Sequence, residues 1–256
     1  MKVSILIPVV RRNKVDRLTK NILKNSGISN KFIEILTLED KDLVGCPKTL
    51  SKLVSLSTYD LLIYLGDDTE PLFGFLKSAW RVMNSFPGKW GLVGFQDYSA
   101  LSFFPNINMY IAPHFMIHRK MLDHLDGEIF YTGYLHDGAY ELFIRSRAIK
   151  RYKLSFDSVV KHNHPLCCDR NGSPLGVWDS YYYRVLEKEI VDHDIDLFKK
   201  RMGNLGLPQF PMCKFPWEDF TDKINAPLWV KNKRKKLSDS FFKEDNFKFL
   251  QKSFFN

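Results

Sequence analysis

The 256-residue sequence predicts an α/β fold: a mostly parallel sheet flanked by helices, followed by a helical and irregular C-terminal extension. Three observations predict it. Lys2 to Val10 (KVSILIPVV) is an almost unbroken β-branched and aliphatic run, as a strand buried on both faces requires. Similar runs alternate, as far as Ser85, with segments whose apolar residues recur at helical spacing. The connections between them are a few residues long, which favours right-handed strand–helix–strand units. Composition permits such a fold, because 45% apolar and 26% charged residues supply a core and exclude a collagenous or disordered chain.

After the first strand, Val15, Leu18, Ile22 and Leu23 form the apolar stripe of a helix from Asn13 or Lys14 to Ser26, stopped by Gly27. Phe32 to Leu38 is a second strand, Pro47 to Leu56 a short helix and Tyr59 to Leu65 a third strand. A third helix is expected from Pro71 to about Ser85, since proline is tolerated at a first helical position whose N–H would have no partner. Trp90 to Phe95 and Asn108 to Phe115 read as strands, Arg119 to Leu125 as a short helix, Gly138 to Ile149 as a longer one, and Leu154 to His162 as extended. Trp178 to Met202 reads as helical, interrupted near Asp192 and stopped by Gly203. Residues 1–165 are expected to form the core domain and 166–256 a helical, basic and aromatic extension.

The formal charge of +9 is unevenly placed. From Lys223 to Asn256 there are nine Lys/Arg and three Asp/Glu, so that +6 lies in this segment and +3 in the preceding residues. After Pro165 aromatic residues are interleaved with bases: Trp217, Phe220, Trp229, Phe241, Phe242, Phe247 and Phe249 with Lys231, Lys233 to Lys236, Lys243 and Lys248. No apolar run reaches the roughly 18 residues that span a bilayer, and neither a signal peptide nor an anchor is expected. The four cysteines lack a C-x-x-C spacing or a disulfide framework, which fits a reducing cytoplasm.

In a parallel α/β sheet, ligands bind beyond the carboxyl ends of the strands. The residues there are Pro8 to Arg12, then Glu39, Asp40 and Asp42, then Gly66, Asp67 and Asp68. The paired carboxylates in LIYLGDDTEP suit Mg²⁺ or Mn²⁺ holding a diphosphate. Adjacent side chains of a strand point to opposite faces, so both could serve one ion only if the backbone turns. The bland alternative is an acidic turn capping the next helix. Asp137 is read either as an N-cap or as a catalytic carboxylate, and Glu141 lies one turn further on. His162 and His164 form an H-x-H pair on an extended segment, with both rings on one side. A zinc site combining them with Cys167 and Cys168 is a weaker alternative, lacking the usual cysteine spacing. His114, His118, His124 and His193 have no comparable setting and are expected to be surface or packing residues.

VSILIPV, the acidic strand end at Glu39 and Asp40, LIYLGDDTEP, IAPHFMIHRKMLDHLDG and HDGAYELFIRSRAIKRYKLSFDSVVKHNHP resemble, in that order, the GT-A glycosyltransferases of the family 2 type. The resemblance spans Lys2 to Pro165 and implies a GT-A-like, Rossmann-related sheet. It also implies inverting, Mn²⁺- or Mg²⁺-dependent transfer of a sugar from a nucleotide-diphosphate sugar, a UDP-sugar first, to an acceptor hydroxyl. By this resemblance Pro8, Arg11, Glu39 or Asp40, and Asp67 line the nucleotide pocket. Asp68 holds the metal with His162 or His164, and Asp137, with Glu141 in reserve, is the base. Gly66 stands where the family has the first acidic residue of its D-x-D-like signature. A looser resemblance, in size and basicity, is to phage enzymes that glycosylate hydroxymethylated pyrimidines in DNA. With the basic, aromatic segment, which suits phosphates and stacked bases, it makes DNA the leading acceptor. A saccharide or cell-surface glycan is the alternative acceptor, and a non-catalytic nucleic-acid-binding protein on the same fold is a further alternative.

Overall fold

The computed structural model describes residues 1–97, 112–136, 138–164, 175–185 and 187–207. Among the described residues seven strands form one sheet: β1 (Val3–Val9), β2 (Ile33–Glu39), β3 (Leu61–Tyr64), β4 (Thr69–Pro71), β5 (Leu92–Asp97), β6 (Phe115–His118) and β7 (Tyr152–His162). Their order across the sheet is β2-β1-β3-β6-β5-β7-β4. The α/β class is as the sequence predicts. The sheet is mixed: β1 pairs parallel with β2 and β3, and β5 with β7, while β6 runs antiparallel between β3 and β5 and β4 antiparallel to β7.

Successive residues of β1 enter opposite cores. Ile5 and Ile7 pack with Val15, Leu18 and Ile22 of α1 (Val15–Asn25) and with Phe75, Leu76 and Ala79 of α3 (Phe75–Met83). Leu6 joins Leu50 and Leu53 of α2 (Cys46–Leu56) and Leu142 and Phe143 of α4 (Ala139–Ala148) on the other face. Strict strand alternation, with helices on both sides, thus explains why the run is apolar at all but Ser4. Burying each of these aliphatic side chains is worth roughly 1.5–3 kcal/mol. A third, smaller cluster docks α6 (Lys188–Asn204) through Phe198 and Met202 onto Tyr134 and Ile144.

Three expected elements differ. Pro71 does not open a helix: it ends β4, and α3 begins at Phe75 after Gly74 in a left-handed conformation (φ 80°). β4 is the edge strand of the sheet, where proline's missing N–H is tolerated. The strand expected at Asn108 to Phe115 begins at Phe115 and runs to His118, and residues 108–111 lie outside those described. The C-terminal helical stretch divides into α5 (Ser180–Val185) and α6, so Asp192 lies within α6 and not at a break. Among the described residues no helix is long and apolar enough to cross a membrane.

Candidate metal centre

The ends of β1, β3, β5 and β7 meet the start of β6 at one edge of the sheet. The turn after β3 is closed by the Thr69 hydroxyl, which donates to the Gly66 carbonyl at 2.7 Å. The two aspartates of that turn diverge. Asp67 Oδ2 accepts the backbone N–H groups of Val10 (2.8 Å) and Arg11 (2.6 Å), and its Oδ1 pairs with Arg11 Nη1 at 2.8 Å. Asp67 therefore ties the turn to the loop after β1. Asp68 faces the other way, because β4 returns antiparallel to β7, with Thr69 opposite His162 and Asn163 N–H donating to the Asp68 carbonyl at 2.9 Å.

Asp68, His114 and His162 form the site: one potential ligand atom from each lies within 4.8 Å of the others. Asp68 Oδ1 is 3.5 Å from His162 Nε2, and His162 Nδ1 is 3.5 Å from Asp97 Oδ2 at the end of β5. The His114 and His162 rings meet edge to face at 4.8 Å. Gly66 makes room for this group, since a Cβ there would lie 2.7 Å from Asp68 Oδ1 and 3.4 Å from His114 Nε2. The glycine that departs from an acidic signature is thus the residue that lets Asp68 and His114 approach.

Burial alone would raise the Asp68 carboxyl, but His162, the Tyr182 hydroxyl and Arg11 outweigh it and hold Asp68 well below the usual carboxylate range. Burial, with His162 nearby, pushes His114 down to about 3, so its imidazole is neutral at neutral pH. A carboxylate and imidazole nitrogens are the donor types that a transition-metal ion such as Mn²⁺ accepts, whereas Mg²⁺ prefers oxygen alone. The residues present fit a divalent cation, Mn²⁺ better than Mg²⁺.

A segment beyond the sheet closes on this edge. Tyr182 of α5 donates its hydroxyl to Asp68 Oδ2, and its ring lies under the Arg11 guanidinium at 4.2 Å. Arg11 Nε also pairs with Asp179 Oδ2 at 2.6 Å, and Asp179 Oδ1 accepts the Tyr182 N–H at 3.0 Å. Arg11 is consequently held, half-buried, between Asp67 and Asp179. Of the H-x-H pair, His162 joins the carboxylate. His164, its pKa lowered to about 3 by burial and by His162, packs edge-on against Tyr182 at 4.5 Å.

The other sequence candidates fall into different settings. Pro8 is half-buried near the end of β1, and Glu39 is exposed at the end of β2. Asp40 is buried and spent on its own turn, where its two oxygens accept Val44 N–H (2.8 Å) and Gly45 N–H (2.9 Å). Asp137 lies outside the described residues, as do Cys167, Cys168 and the basic segment from Lys223 onward. The residues before Asp137 are firmly held: Asp194 of α6 accepts Leu135 N–H at 2.8 Å and His136 N–H at 2.9 Å. His136 Nδ1 is 3.5 Å from the Tyr181 hydroxyl, next to Tyr182.

Glu141 is engaged in ion pairs. Oε1 accepts Arg145 Nη1 (2.9 Å) and Arg201 Nη2 (2.7 Å), and Oε2 accepts Arg201 Nε (2.7 Å) and the Tyr134 hydroxyl (2.9 Å). Burial would raise its carboxyl, but these four hydrogen bonds prevail and hold it below the usual range. Such a group is a poor proton acceptor.

Sequence reading missed His114, Asp97, Asp179 and Tyr182. In sequence His114 has no setting beyond surface or packing; it is buried beside His162 because β6 pairs with β3 and β5 at once. A usable signal was its position immediately before an apolar strand, the mirror of a residue immediately after one. Asp97, likewise, closes the buried run of β5.

Strand order, cover on both faces and a carboxylate–histidine group at the strand ends together define a GT-A-like fold with C-terminal helices. Comparison with solved structures agrees on the fold. The mannosyltransferase PcManGT from Pyrobaculum calidifontis, solved in complex with GDP-Man and Mn²⁺, aligns with a TM-score of 0.52 at 13% identity, over 93% of this chain and 74% of that one. Glucosyl-3-phosphoglycerate synthase from Mycobacterium tuberculosis, solved with Mg²⁺ and UDP, aligns with a TM-score of 0.51 at 10% identity, over 81% of this chain and 80% of that one. S. aureus TarS aligns at 0.49 and 11% identity, and this chain spans 48% of its length. No protein-family model matches the sequence. No curated protein matches it either.

Proposed function

We propose that the chain is a metal-dependent glycosyltransferase that moves a sugar from a nucleoside-diphosphate sugar, a UDP-sugar first, to an acceptor hydroxyl. The observation that carries this reading is the buried Asp68–His114–His162 group at the strand ends of a GT-A-like sheet. In this reading Asp68, His162 and His114 hold Mn²⁺ in preference to Mg²⁺. A cation held there would supply positive charge to offset that of the departing diphosphate. Pro8, Arg11 and the exposed Glu39 line the nucleotide side, while Asp40 and Asp67 shape the loops that carry them. Asp137 takes the proton of the acceptor hydroxyl as its oxygen bonds to the anomeric carbon and the bond to the diphosphate breaks, with inversion at that carbon. A base so placed is worth roughly 10²–10⁴ in rate. Residues 1–165 are the catalytic core and 166–256 the acceptor-side extension.

For the acceptor, a saccharide or other small hydroxyl compound comes first. Of the similar folds that align above 0.5, one is a synthase named for glucosyl-3-phosphoglycerate, a small glycosylated compound, which supports a small acceptor, and the other is named a mannosyltransferase. A hydroxymethylated pyrimidine in DNA is the second reading, favoured by the +6 segment from Lys223 to Asn256.

Titration calorimetry of UDP tests the reaction class. Binding is expected with Mn²⁺, and is expected to be lost with EDTA or in Asp68→Asn. Equal affinity in all three conditions would refute the metal-dependent reading. A panel of labelled nucleotide sugars, offered to saccharides and to plain and hydroxymethylated DNA, then separates the two acceptors.

A further inference from the structure

We propose that Tyr182 is a positioning residue of the metal centre: its hydroxyl fixes the Asp68 carboxylate so that Oδ1, not Oδ2, faces the two histidines. The inference rests on the metal-dependent reading above and deepens it. The two oxygens of Asp68 have distinct surroundings. Oδ2 accepts the Tyr182 hydroxyl and has Arg11 Nη1 at 4.0 Å. Oδ1 is the atom 3.5 Å from His162 Nε2, and it shares with His114 Nε2 the space beside Gly66. The terminal torsion of an aspartate has broad wells, so an unheld carboxylate would sample orientations that present either oxygen or neither. Tyr182 and Arg11 select one.

Tyr182 is itself rigidly held, as a positioning group must be. It is 3% exposed, its ring is sandwiched between Arg11 (4.2 Å) and the His164 edge (4.5 Å), and its N–H is capped by Asp179. Asp179 in turn is bonded to Arg11. On the far side of the site Asp97 stands in the same relation to His162, at Nδ1, leaving Nε2 toward Asp68 and His114. Groups that orient metal ligands in this manner typically contribute about 10- to 100-fold in metal affinity. A helix from beyond the sheet thereby sets how tightly the sheet's own carboxylate and imidazoles bind the ion.

The test is titration of the full chain with Mn²⁺, followed by electron paramagnetic resonance, and with Co²⁺, followed by visible absorption, in wild type, Tyr182→Phe and Tyr183→Phe. Tyr183 lies on the same helix, is mostly exposed and stacks on Trp178. Tyr182→Phe should weaken Mn²⁺ binding about 10- to 100-fold and alter the Co²⁺ spectrum at saturation, while Tyr183→Phe should stay within about twofold of wild type. Unchanged affinity in Tyr182→Phe would overturn the inference and leave the metal site standing. Tighter binding would overturn it too, because the hydroxyl would then be competing with the ion for Oδ2. A wild-type chain that binds neither ion overturns the metal-dependent reading itself, and this inference with it. Should Tyr182→Phe not fold, Asp179→Ala removes both the acceptor of the Tyr182 N–H and the partner of Arg11 without touching Asp68; Mn²⁺ affinity equal to wild type in that variant would overturn the inference.

Discussion

Replacing Glu141 by glutamine separates a structural from a catalytic role for the second carboxylate of the HDGAYE motif. In the structure Glu141 is 4% exposed and receives both Nε and Nη2 of Arg201, one nitrogen of Arg145 and the Tyr134 hydroxyl. Two-pronged arginine–carboxylate contact is the strong form of the interaction. Removing one partner of a buried pair costs about 3–5 kcal/mol, chiefly because the other charge is left uncompensated. Here Asp126 remains to receive Arg145 and Arg201, each at 2.8 Å, so the lower end applies, about 3 kcal/mol. For a chain of this length each kcal/mol shifts Tm by roughly 2–4 °C, giving a fall of about 6–12 °C. Thermal melts by circular dichroism measure it, and Arg201→Met should produce a comparable fall by removing the other partner. Turnover of the folded variant below its transition should stay within a few fold of wild type. A Gln variant that melts with wild type but loses about 10²–10⁴ in turnover would refute the reasoning and make Glu141 the base.

The same carboxylate makes stability depend on pH in a definite direction. Its folded pKa is depressed, so its contribution is complete above the unfolded value of about 4.3 and is lost as pH falls through the lower folded value. The Tm of wild type should therefore drop more steeply below that pH than the Tm of Glu141→Gln, and parallel curves would contradict the assignment. His114→Phe preserves a ring against Tyr64 and His162 but removes the ligand nitrogen. Mn²⁺ affinity should fall by at least the roughly 10-fold that loss of even a supporting group costs; unchanged affinity would return His114 to a packing role. Asp137→Asn should keep UDP affinity and lose about 10²–10⁴ in turnover, and full activity in that variant would exclude it as base.

What the sequence disclosed, and what it did not, follows the range of the interactions. β1 was legible because every residue from Val3 to Ile7 is fully buried, one face after the other, and that demand is written locally as an apolar run broken only by the small Ser4, whose hydroxyl donates to Glu34. Pro71 was not, because a helix start and an edge strand both tolerate proline, and its pairing with Val160 on β7 decides between them. The double aspartate marked the right edge of the sheet, yet its division of labour was invisible: Asp67 is claimed by the N–H groups of Val10 and Arg11, some 56 positions earlier. His114 shows the same limit, since a single histidine before a short strand carries no periodicity, and its value arises only where β6 crosses between β3 and β5.

The C-terminal helices are part of the site's construction, and the chemistry of their contacts explains why they dock in one way. Asp179 and Tyr182 of the α5 segment reach Arg11 and Asp68, while Asp194 of α6 binds the Leu135 and His136 amides and Arg201 binds Glu141. The apolar contact of Phe198 and Met202 with Tyr134 and Ile144 is small and non-directional, and would tolerate a rotated or shifted helix. The polar contacts would not. A shift of one residue along α6 would leave Asp194 buried without its two amides and Arg201 without its carboxylate, and an unmet buried charge costs far more than a met one returns. Orientation is thus enforced mainly by the penalty on wrong arrangements. The same penalty links the loop before Asp137, the ion pair at Glu141 and the carboxylate at Asp68 to one docked state of α5 and α6.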